Sequence, residues 1–397
     1  MNILFVTGIF AHNETDTALS GMPYAVYKSA LGMKKIGHEA AILTVSEEDR
    51  KWYYQGLKVI SIRAEHGLNG EAGFRDFGKS LYCILKRECR LRKQIRRLHQ
   101  EKPIDIIQYA GWFGIGLFHP RDITGVMRIS TYTKIQMVHN FGNKEKYLLE
   151  ITEYLAAKRM NFVFAPSKLM AQAAAKDIRR KVPVIETPFL MENIKWDDGL
   201  LQTKLKDKQY LLFFGRMSVD KGILTIKDML YQALQDYPGL CFAFAGISWM
   251  HDGVLIEKEL MREAKEYKDR VIFLGQLSKN LLMPVIKNAE AVLMPSLADN
   301  FPNSCVEAMA MGKIVIGTDG SSLEQLIRNG KNGYLSEIGN ASSLYRCLEQ
   351  VLHLNETQRK LMGECAERRI QKLDLRRYSI KMERTYRKLR EGTLQRK

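Results

Sequence analysis

Short apolar runs rich in β-branched and aromatic residues alternate along this chain with longer stretches in which apolar residues recur every three or four positions. The first kind reads as a strand buried on both faces, the second as a helix with one buried stripe. In the first half the runs predict strands over residues 3–7, 40–45, 59–62, 104–109, 125–129, 162–165 and 184–186. A polar stretch over 193–208 breaks the rhythm, which resumes with strands over 210–214, 241–245, 271–274, 291–294 and 313–317. Strands alternating with helices are the pattern of a parallel sheet covered on both sides, so the fold class is α/β with two Rossmann-like halves. One early helix is well punctuated: Pro23 suits a first turn, Val26, Ala30, Leu31 and Met33 form its stripe, and Gly37 supplies the stop. Neither half contains a short repeat or a low-complexity segment.

With 397 residues, 46% hydrophobic and 26% charged, the chain has the make-up of a globular protein of two or three domains. No apolar run reaches the roughly 18 residues that a membrane-spanning helix needs. The opening MNILFVTGIF lacks a basic flank and a small-residue cleavage site, so it reads as a first buried strand rather than a secretory signal. Six cysteines (Cys83, Cys89, Cys241, Cys305, Cys347 and Cys365) show no Cys-x-x-Cys pair and no zinc-like spacing. That pattern points to reduced thiols in a cytoplasmic protein, without disulfides or structural zinc.

The net charge of +17 divides almost evenly, +9 in residues 1–200 and +8 in the remainder, so no basic domain is appended to a neutral one. Two segments are denser. Over 81–98, Leu81, Ile84, Leu85, Leu91, Ile95 and Leu98 recur at helical spacing while Lys86, Arg87, Arg90, Arg92, Lys93, Arg96 and Arg97 take the other face. Such a helix packs its stripe on a sheet beneath a solvated basic face, or leans that face on an anionic membrane leaflet at ~1 kcal/mol per basic residue, and the two can hold together. The second segment is the tail, where Tyr378, Met382, Tyr386 and Leu389 share a stripe.

Candidate chemistry concentrates in two places. In Phe213-Phe214-Gly215-Arg216-Met217-Ser218-Val219-Asp220-Lys221-Gly222 a buried strand ends in glycine and delivers Arg216 and Lys221 onto the loop before a helix. Ligands of open α/β sheets bind outside the carboxyl ends of the strands, and an arginine fork with a lysine point charge there suits a diphosphate; the alternative is a solvated basic loop. In the segment 295–312 a strand gives way to a polar turn and to a helix starting near Asn303, whose N-terminal N–H groups offer an anion site. Asp299 and Glu307 stand eight apart there. Glu307 lies among apolar Cys305, Val306, Met309 and Ala310, where its charge needs a partner: ribose hydroxyls, or a basic side chain such as Lys313.

Taken together these residues resemble glycosyltransferase family 4, the retaining, nucleotide-sugar-dependent enzymes of the GT-B fold. The resemblance runs through nearly the whole chain: Ser20-Gly21-Met22-Pro23, Gly37-His38-Glu39, Ala165-Pro166-Ser167, Phe214-Gly215-Arg216 with Lys221-Gly222, Phe273-Leu274-Gly275, Pro295-Ser296, Glu307-Ala308-Met309-Ala310 and Asn332-Gly333-Tyr334-Leu335. It implies two Rossmann-like domains facing a central cleft: an acceptor-binding domain over 1–195, a nucleotide-sugar-binding domain over 196–375, and a C-terminal helix over 376–397 that crosses back to the first domain. Arg216 and Lys221 would hold the donor diphosphate and stabilise the leaving nucleotide in place of a metal ion, and no Asp-x-Asp triplet occurs. Glu307 would bind the donor ribose. Asn300, Phe301, Pro302, Asn303 and Ser304 would approach sugar and phosphates, Gln276 and Leu277 would face the base, Gly215 would shape the phosphate loop, and Gly21 would let the N-terminal loop close on the diphosphate.

Two departures from the family pattern stand out. The first acid of its Glu-x7-Glu motif, which the resemblance makes a catalytic position in contact with the donor sugar, is here Asp299, one methylene shorter, and a histidine common in relatives is here Ser130, which becomes a cleft candidate. His139 is a substitute candidate in the cleft, and Trp112 with Phe113 either stacks on an acceptor sugar or fills the sheet edge. The resemblance thus implies a retaining, metal-independent hexosyltransferase with no cofactor, UDP-sugar as the favoured donor and GDP-mannose as the alternative. Its acceptor would be a hydroxyl of a glycan or lipid-linked sugar in cell-surface polysaccharide synthesis, reached from the cytoplasm at the inner face of the membrane. A nucleic-acid-binding protein would interleave aromatics with its basic clusters, and a nicotinamide-dependent dehydrogenase would carry Gly-x-Gly-x-x-Gly after a strand; neither signature is present.

Overall fold

The computed structural model describes residues 1–14, 16, 19, 21–64, 77–135, 143–192 and 194–393. The chain forms two compact units, the first made of Met1–Leu190 with Leu373–Lys397 and the second of Met191–Lys372.

The first unit is a seven-stranded sheet: β1 (Asn2–Val6), β2 (Glu39–Ser46), β3 (Arg50–Tyr54), β4 (Leu57–Arg63), β5 (Ile106–Gly111), β6 (Thr124–Ile129) and β7 (Phe162–Phe164), in the order β3-β4-β2-β1-β5-β6-β7. All neighbours are parallel except β3 and β4. Successive residues of β1 feed opposite faces, as the pleat requires: Ile3 and Phe5 enter one buried core, Leu4 and Val6 the other. Helices α1 (Gly21–Lys35), α2 (Phe77–Glu101), α3 (Asn143–Arg159) and α4 (Lys168–Ile178) connect the strands. Pro23 sits in the first turn of α1 and Gly37, at φ +88°, closes its end.

The second unit is a six-stranded, wholly parallel sheet: β8 (Gln209–Phe214), β9 (Leu240–Ala245), then the two-residue hairpin β10 (Met250–His251) and β11 (Val254–Leu255) outside it, then β12 (Val271–Gly275), β13 (Ala291–Leu293), β14 (Val315–Thr318) and β15 (Tyr334–Ser336). The order is β12-β9-β8-β13-β14-β15, flanked by α5 (Gly199–Thr203), α6 (Ile223–Asp236), α7 (Ile256–Glu263), α8 (Lys279–Asn288), α9 (Asn303–Ala310), α10 (Ala341–Leu352) and α11 (Glu356–Gln371).

A last helix, α12 (Leu375–Arg390), returns to the first unit. Its stripe Tyr378, Met382 and Tyr386 is buried in the same core as Ile3 and Phe5, and Gly32 of α1 brings the two helices together: a β-carbon there would lie 2.2 Å from Ser379 Oγ. The chain leaves the first unit at Leu190, five residues ahead of the expected 195, and re-enters at Leu373 rather than 376. One backbone bond and one ion pair mark these positions: Phe189 N–H donates to Leu373 O at 2.7 Å within the first unit, and Lys279 pairs with Glu192 at 2.7 Å within the second.

Three sequence expectations are corrected. Residues 184–186 add only an isolated bridge, Ala165 to Val184, because Pro183 has no N–H to extend a ladder. Strand β3, unexpected amid polar residues, is held by a tight hairpin in which Gln55 and Gly56 both take positive φ, +44° and +77°. The basic residues of α2 do not all take a solvated face. Arg87 is 1% exposed, pairs with buried Glu88 at 3.1 Å and donates to Phe113 O at 2.7 Å, while Arg96 pairs with Asp122 and Arg97 with Glu101. Among the described residues no helix is long and apolar enough to cross a membrane.

Candidate active site

In the second unit the chain order reverses between β8 and β13, which lie side by side at the middle of the sheet. Loops leaving the carboxyl ends of two such strands diverge to opposite sides and open a crevice, the usual ligand position in this class of sheet. The loop after β8 carries Arg216 and Lys221; the loop after β13 carries Asp299 to Pro302.

These loops are locked together by backbone contact. Leu297 N–H donates to Asp220 O at 2.9 Å. Gly222, at φ +71°, passes so close that a β-carbon on it would stand 1.7 Å from Pro295 O. One strand over, a β-carbon on Gly246 would stand 1.8 Å from Gly215 O, and Gly246 donates its N–H to Gly275 O at 2.8 Å. Gly246 at the end of β9 thereby lets its loop pack on the loop after β8 at van der Waals distance, while Gly215 and Gly275 meet nothing at the β-carbon position and serve through their positive φ of +126° and +70°.

Both cations are positioned by carboxylates that lie deeper than they do. Lys221 Nζ is 2.5 Å from Asp299 Oδ2, with side chains 30% and 12% exposed; the other Asp299 oxygen accepts from Asn300 N–H at 2.9 Å. Arg216 donates to Asp220 Oδ2 at 2.8 Å and to Ser218 Oγ at 3.1 Å, and its guanidinium lies 4.4 Å from the centre of the Trp249 ring. Burial alone would raise the Asp220 carboxyl, but hydrogen bonding from Ser218 and the charges of Arg216 and Lys221 outweigh it and hold it below its ordinary value. The acids thus fix two cations from beneath and leave their outer faces to solvent, an arrangement that can receive a dianionic group.

Helix α9 begins at Asn303 after Pro302, and its first turn has no side-chain cap. Cys305, Val306 and Met309 are buried and Glu307 is half-buried, one helical turn from the start. Lys313, the alternative partner considered for Glu307, donates instead to Ala289 O at 2.8 Å, and burial beside Lys287 pushes its ammonium down to about 8. Phe301 is buried, Asn300 and Ser304 half-buried, Gln276 exposed and Leu277 half-buried beyond Gly275 at the end of edge strand β12. The structure thus gathers Arg216, Lys221, Asp299, Gly215 and the 300–304 segment around one crevice in the second unit.

Other expected residues lie in the first unit. Gly21 opens α1 at φ +57° with nothing within 4 Å of its β-carbon position. Ser130 is buried and accepts from buried Arg128 at 2.7 Å, whose other nitrogen donates to Thr187 Oγ1 at 2.8 Å. Trp112 is buried, stacked on Phe113 at 4.6 Å and so close to Gly8 that a β-carbon there would stand 2.0 Å from its ring, which favours the packing role over sugar stacking. His139 lies outside the described residues.

Sequence reasoning assigned no role to Trp249, Ser218 or Asp220. The last two sit between the cations in the motif and could have been read as their anchors, whereas Trp249 arrives on the connection after β9 and carries no local signal. Glu153 was also missed. It is buried beside the carboxyl ends of β5 and β6, where burial pushes its carboxyl up to about 7 against hydrogen bonds from Thr133 and the Phe113 backbone.

Comparison with known proteins agrees with this geometry. Residues 201–369 match the family described as Glycosyl transferases group 1. An uncharacterized glycosyltransferase of Methanocaldococcus jannaschii is 29% identical over 40% of this chain and 42% of its own. The phosphatidyl-myo-inositol mannosyltransferase of Mycobacterium leprae is 25% identical over 40% and 41%. The chain therefore spans about two-fifths of the length of these curated relatives. Among solved structures, sucrose-phosphate synthase of Thermosynechococcus elongatus superposes with TM-score 0.77 at 17% identity, covering 99% of this chain and 100% of that one. Anabaena HepE in complex with UDP and glucose gives 0.71 at 17%, covering 97% and 99%. Such likeness establishes the GT-B fold, and the match to the Glycosyl transferases group 1 family over residues 201–369 takes in every loop of the crevice described above.

Proposed function

We propose that this protein transfers a sugar, with retention, from a nucleotide-sugar donor to a hydroxyl of a glycan or lipid-linked acceptor. The observation that carries the reading is the pair Arg216 and Lys221, each seated on a carboxylate at the strand-order reversal of the second unit. Departure of a nucleoside diphosphate builds negative charge on its phosphate oxygens, and preorganised cations at that point are worth ~3 to 4 kcal/mol of barrier. With that charge carried by Arg216 and Lys221, the reaction needs no metal and no cofactor. The leaving phosphate oxygen takes the acceptor proton as the new bond forms on the same face of the sugar, so no protein base is required. This supports a mechanism that tolerates Ser130 where relatives have histidine.

Glu307 binds the donor ribose, Asn300 to Ser304 approach the sugar and phosphates, and Gln276 and Leu277 face the base. UDP is the favoured nucleotide, since HepE is a complex with UDP and glucose, and a structure described as trehalose-6-phosphate from E. coli, TM-score 0.74 at 13% identity, is bound with UDP-2-fluoro glucose. GDP-mannose is the second reading, favoured by the mannosyltransferase among the relatives. A role in cell-surface polysaccharide assembly, from the cytoplasm and peripheral to the inner membrane face, agrees with the lipopolysaccharide N-acetylglucosaminetransferase of Salmonella typhimurium, 27% identical over 43% of this chain. Incubation with UDP-, GDP- and ADP-sugars in EDTA tests the proposal: release of one nucleoside diphosphate is expected, and no release from any donor, with or without manganese, contradicts it.

A further inference from the structure

A groove of about 720 Å³ lies in the first unit between edge strand β7 with the chain that follows α4, and the outer face of α12. Its floor is apolar, built from Phe162, Val163, Pro183, Ile185 and Ile380. Its rim is basic: Arg180 and Lys181 on one side, Arg377, Lys381, Arg384 and Lys388 on the other, with no acidic residue in the lining.

The four cations of α12 follow one another at intervals of four, three and four residues, so they share one helix face and repel along it. They are exposed, and among the described residues none of them has an ion-pair partner. Of the acids on this helix, Asp374 caps its N-terminus through Arg377 N–H, Glu383 is taken by His38 and Arg387, and Glu391 lies past its last turn, exposed and outside the groove lining. On α2, by contrast, Arg87, Arg96 and Arg97 meet carboxylates of this chain, and its exposed Arg92 and Lys93 are not among the residues that line the groove. A row of like charges left unbalanced above an apolar floor is complementary to an amphiphile with a phosphate head and a hydrocarbon chain.

We infer that this groove is where the protein engages an anionic phospholipid surface, headgroup phosphates on the α12 row and an acyl segment against Ile380 and the end of β7. Free phosphate would leave the apolar floor without a use. A single-stranded nucleic acid would want aromatic faces for its bases, and Phe162 is the one aromatic in the lining. The inference deepens the membrane part of the proposed function and rests on that part alone, not on the transfer reaction.

Sedimentation of the full chain with phosphatidylglycerol-rich and with pure phosphatidylcholine vesicles tests it. Binding is expected to the anionic vesicles only. Lys381→Ala with Arg384→Ala should weaken it about thirtyfold, from ~1 kcal/mol per basic residue. Ile380→Gln should weaken it at unchanged charge, which purely ionic attraction would not do, and Arg92→Ala with Lys93→Ala on α2 should leave it intact. Melting temperature and nucleoside-diphosphate binding, measured on the same variants, should not move; a loss confined to nucleotide binding speaks against the donor site and not against the groove. Equal binding to both vesicles, an unaffected double variant, or a melting shift with inorganic phosphate or an oligonucleotide in place of vesicle binding overturns the inference.

Discussion

Lys221 and Asp299, 78 positions apart in sequence, meet at 2.5 Å and join the loop after β8 to the loop after β13. The shorter acid at position 299 thus reaches the lysine directly, and its second oxygen is held by the backbone of Asn300. Its place in this structure is beneath a cation, which makes it a positioning group for whatever that cation binds.

Removing either cation should therefore affect chemistry and not folding. Arg216→Ala and Lys221→Ala are each expected to lower turnover by about 10² to 10³, the cost of one charge-stabilising donor, while the protein still folds with a loss of only ~1 to 2 kcal/mol from the carboxylate left unpaired. Asp299→Asn should give an intermediate loss, because the lysine stays but its anchor weakens. Steady-state kinetics beside denaturant unfolding separates the two effects; near-normal turnover in both alanine variants would count against the site.

Gly222→Ala should do the opposite and damage structure first. Its φ of +71° disfavours any β-carbon by ~1 to 2 kcal/mol, and the added atom would collide with Pro295 O, a backbone atom that cannot step aside alone. Loss of more than about 3 kcal/mol in the second unit, with weakened nucleotide binding, is expected by calorimetry. A variant as stable as the parent would show that the two loops are less closely apposed than described.

Glu153 gives stability a dependence on pH. Its carboxyl, pushed up by burial from 4.5 to about 7, keeps a proton in the native state that the unfolded chain releases near pH 4.5. Its contribution is complete below that range and is lost as pH rises towards 7, by roughly 3 kcal/mol at most. Melting temperature followed from pH 5 to pH 8 should fall in the parent and flatten in Glu153→Gln. An identical slope in both would remove the assignment.

How much of this was legible depended on where each signal lay. The run Ile3-Leu4-Phe5-Val6 is apolar throughout because β1 is covered on both faces, so it reads as a strand without help from elsewhere. Arg216 and Lys221 were legible for the same local reason, since both follow a buried strand ended by glycine. Strand β3 was not, because on this edge hairpin Arg50, Lys51 and Tyr53 face solvent and only Trp52 and Tyr54 turn inward. Nor could seven basic residues over 86–97 reveal that Arg87 alone goes inside, because one of its partners, Phe113 O, lies 26 residues away. Trp249 reaches Arg216 by the same kind of long-range meeting, decided by the topology of the sheet rather than by local spacing.

The most direct test is calorimetric titration of UDP, GDP and ADP into the parent protein and into the double variant Arg216→Ala with Lys221→Ala. One nucleoside diphosphate should bind the parent, and the double variant should bind it at least about a hundredfold more weakly, two charge-assisted contacts at ~1.5 kcal/mol or more each. Binding of none of the three, or equal binding to parent and variant, would contradict the account.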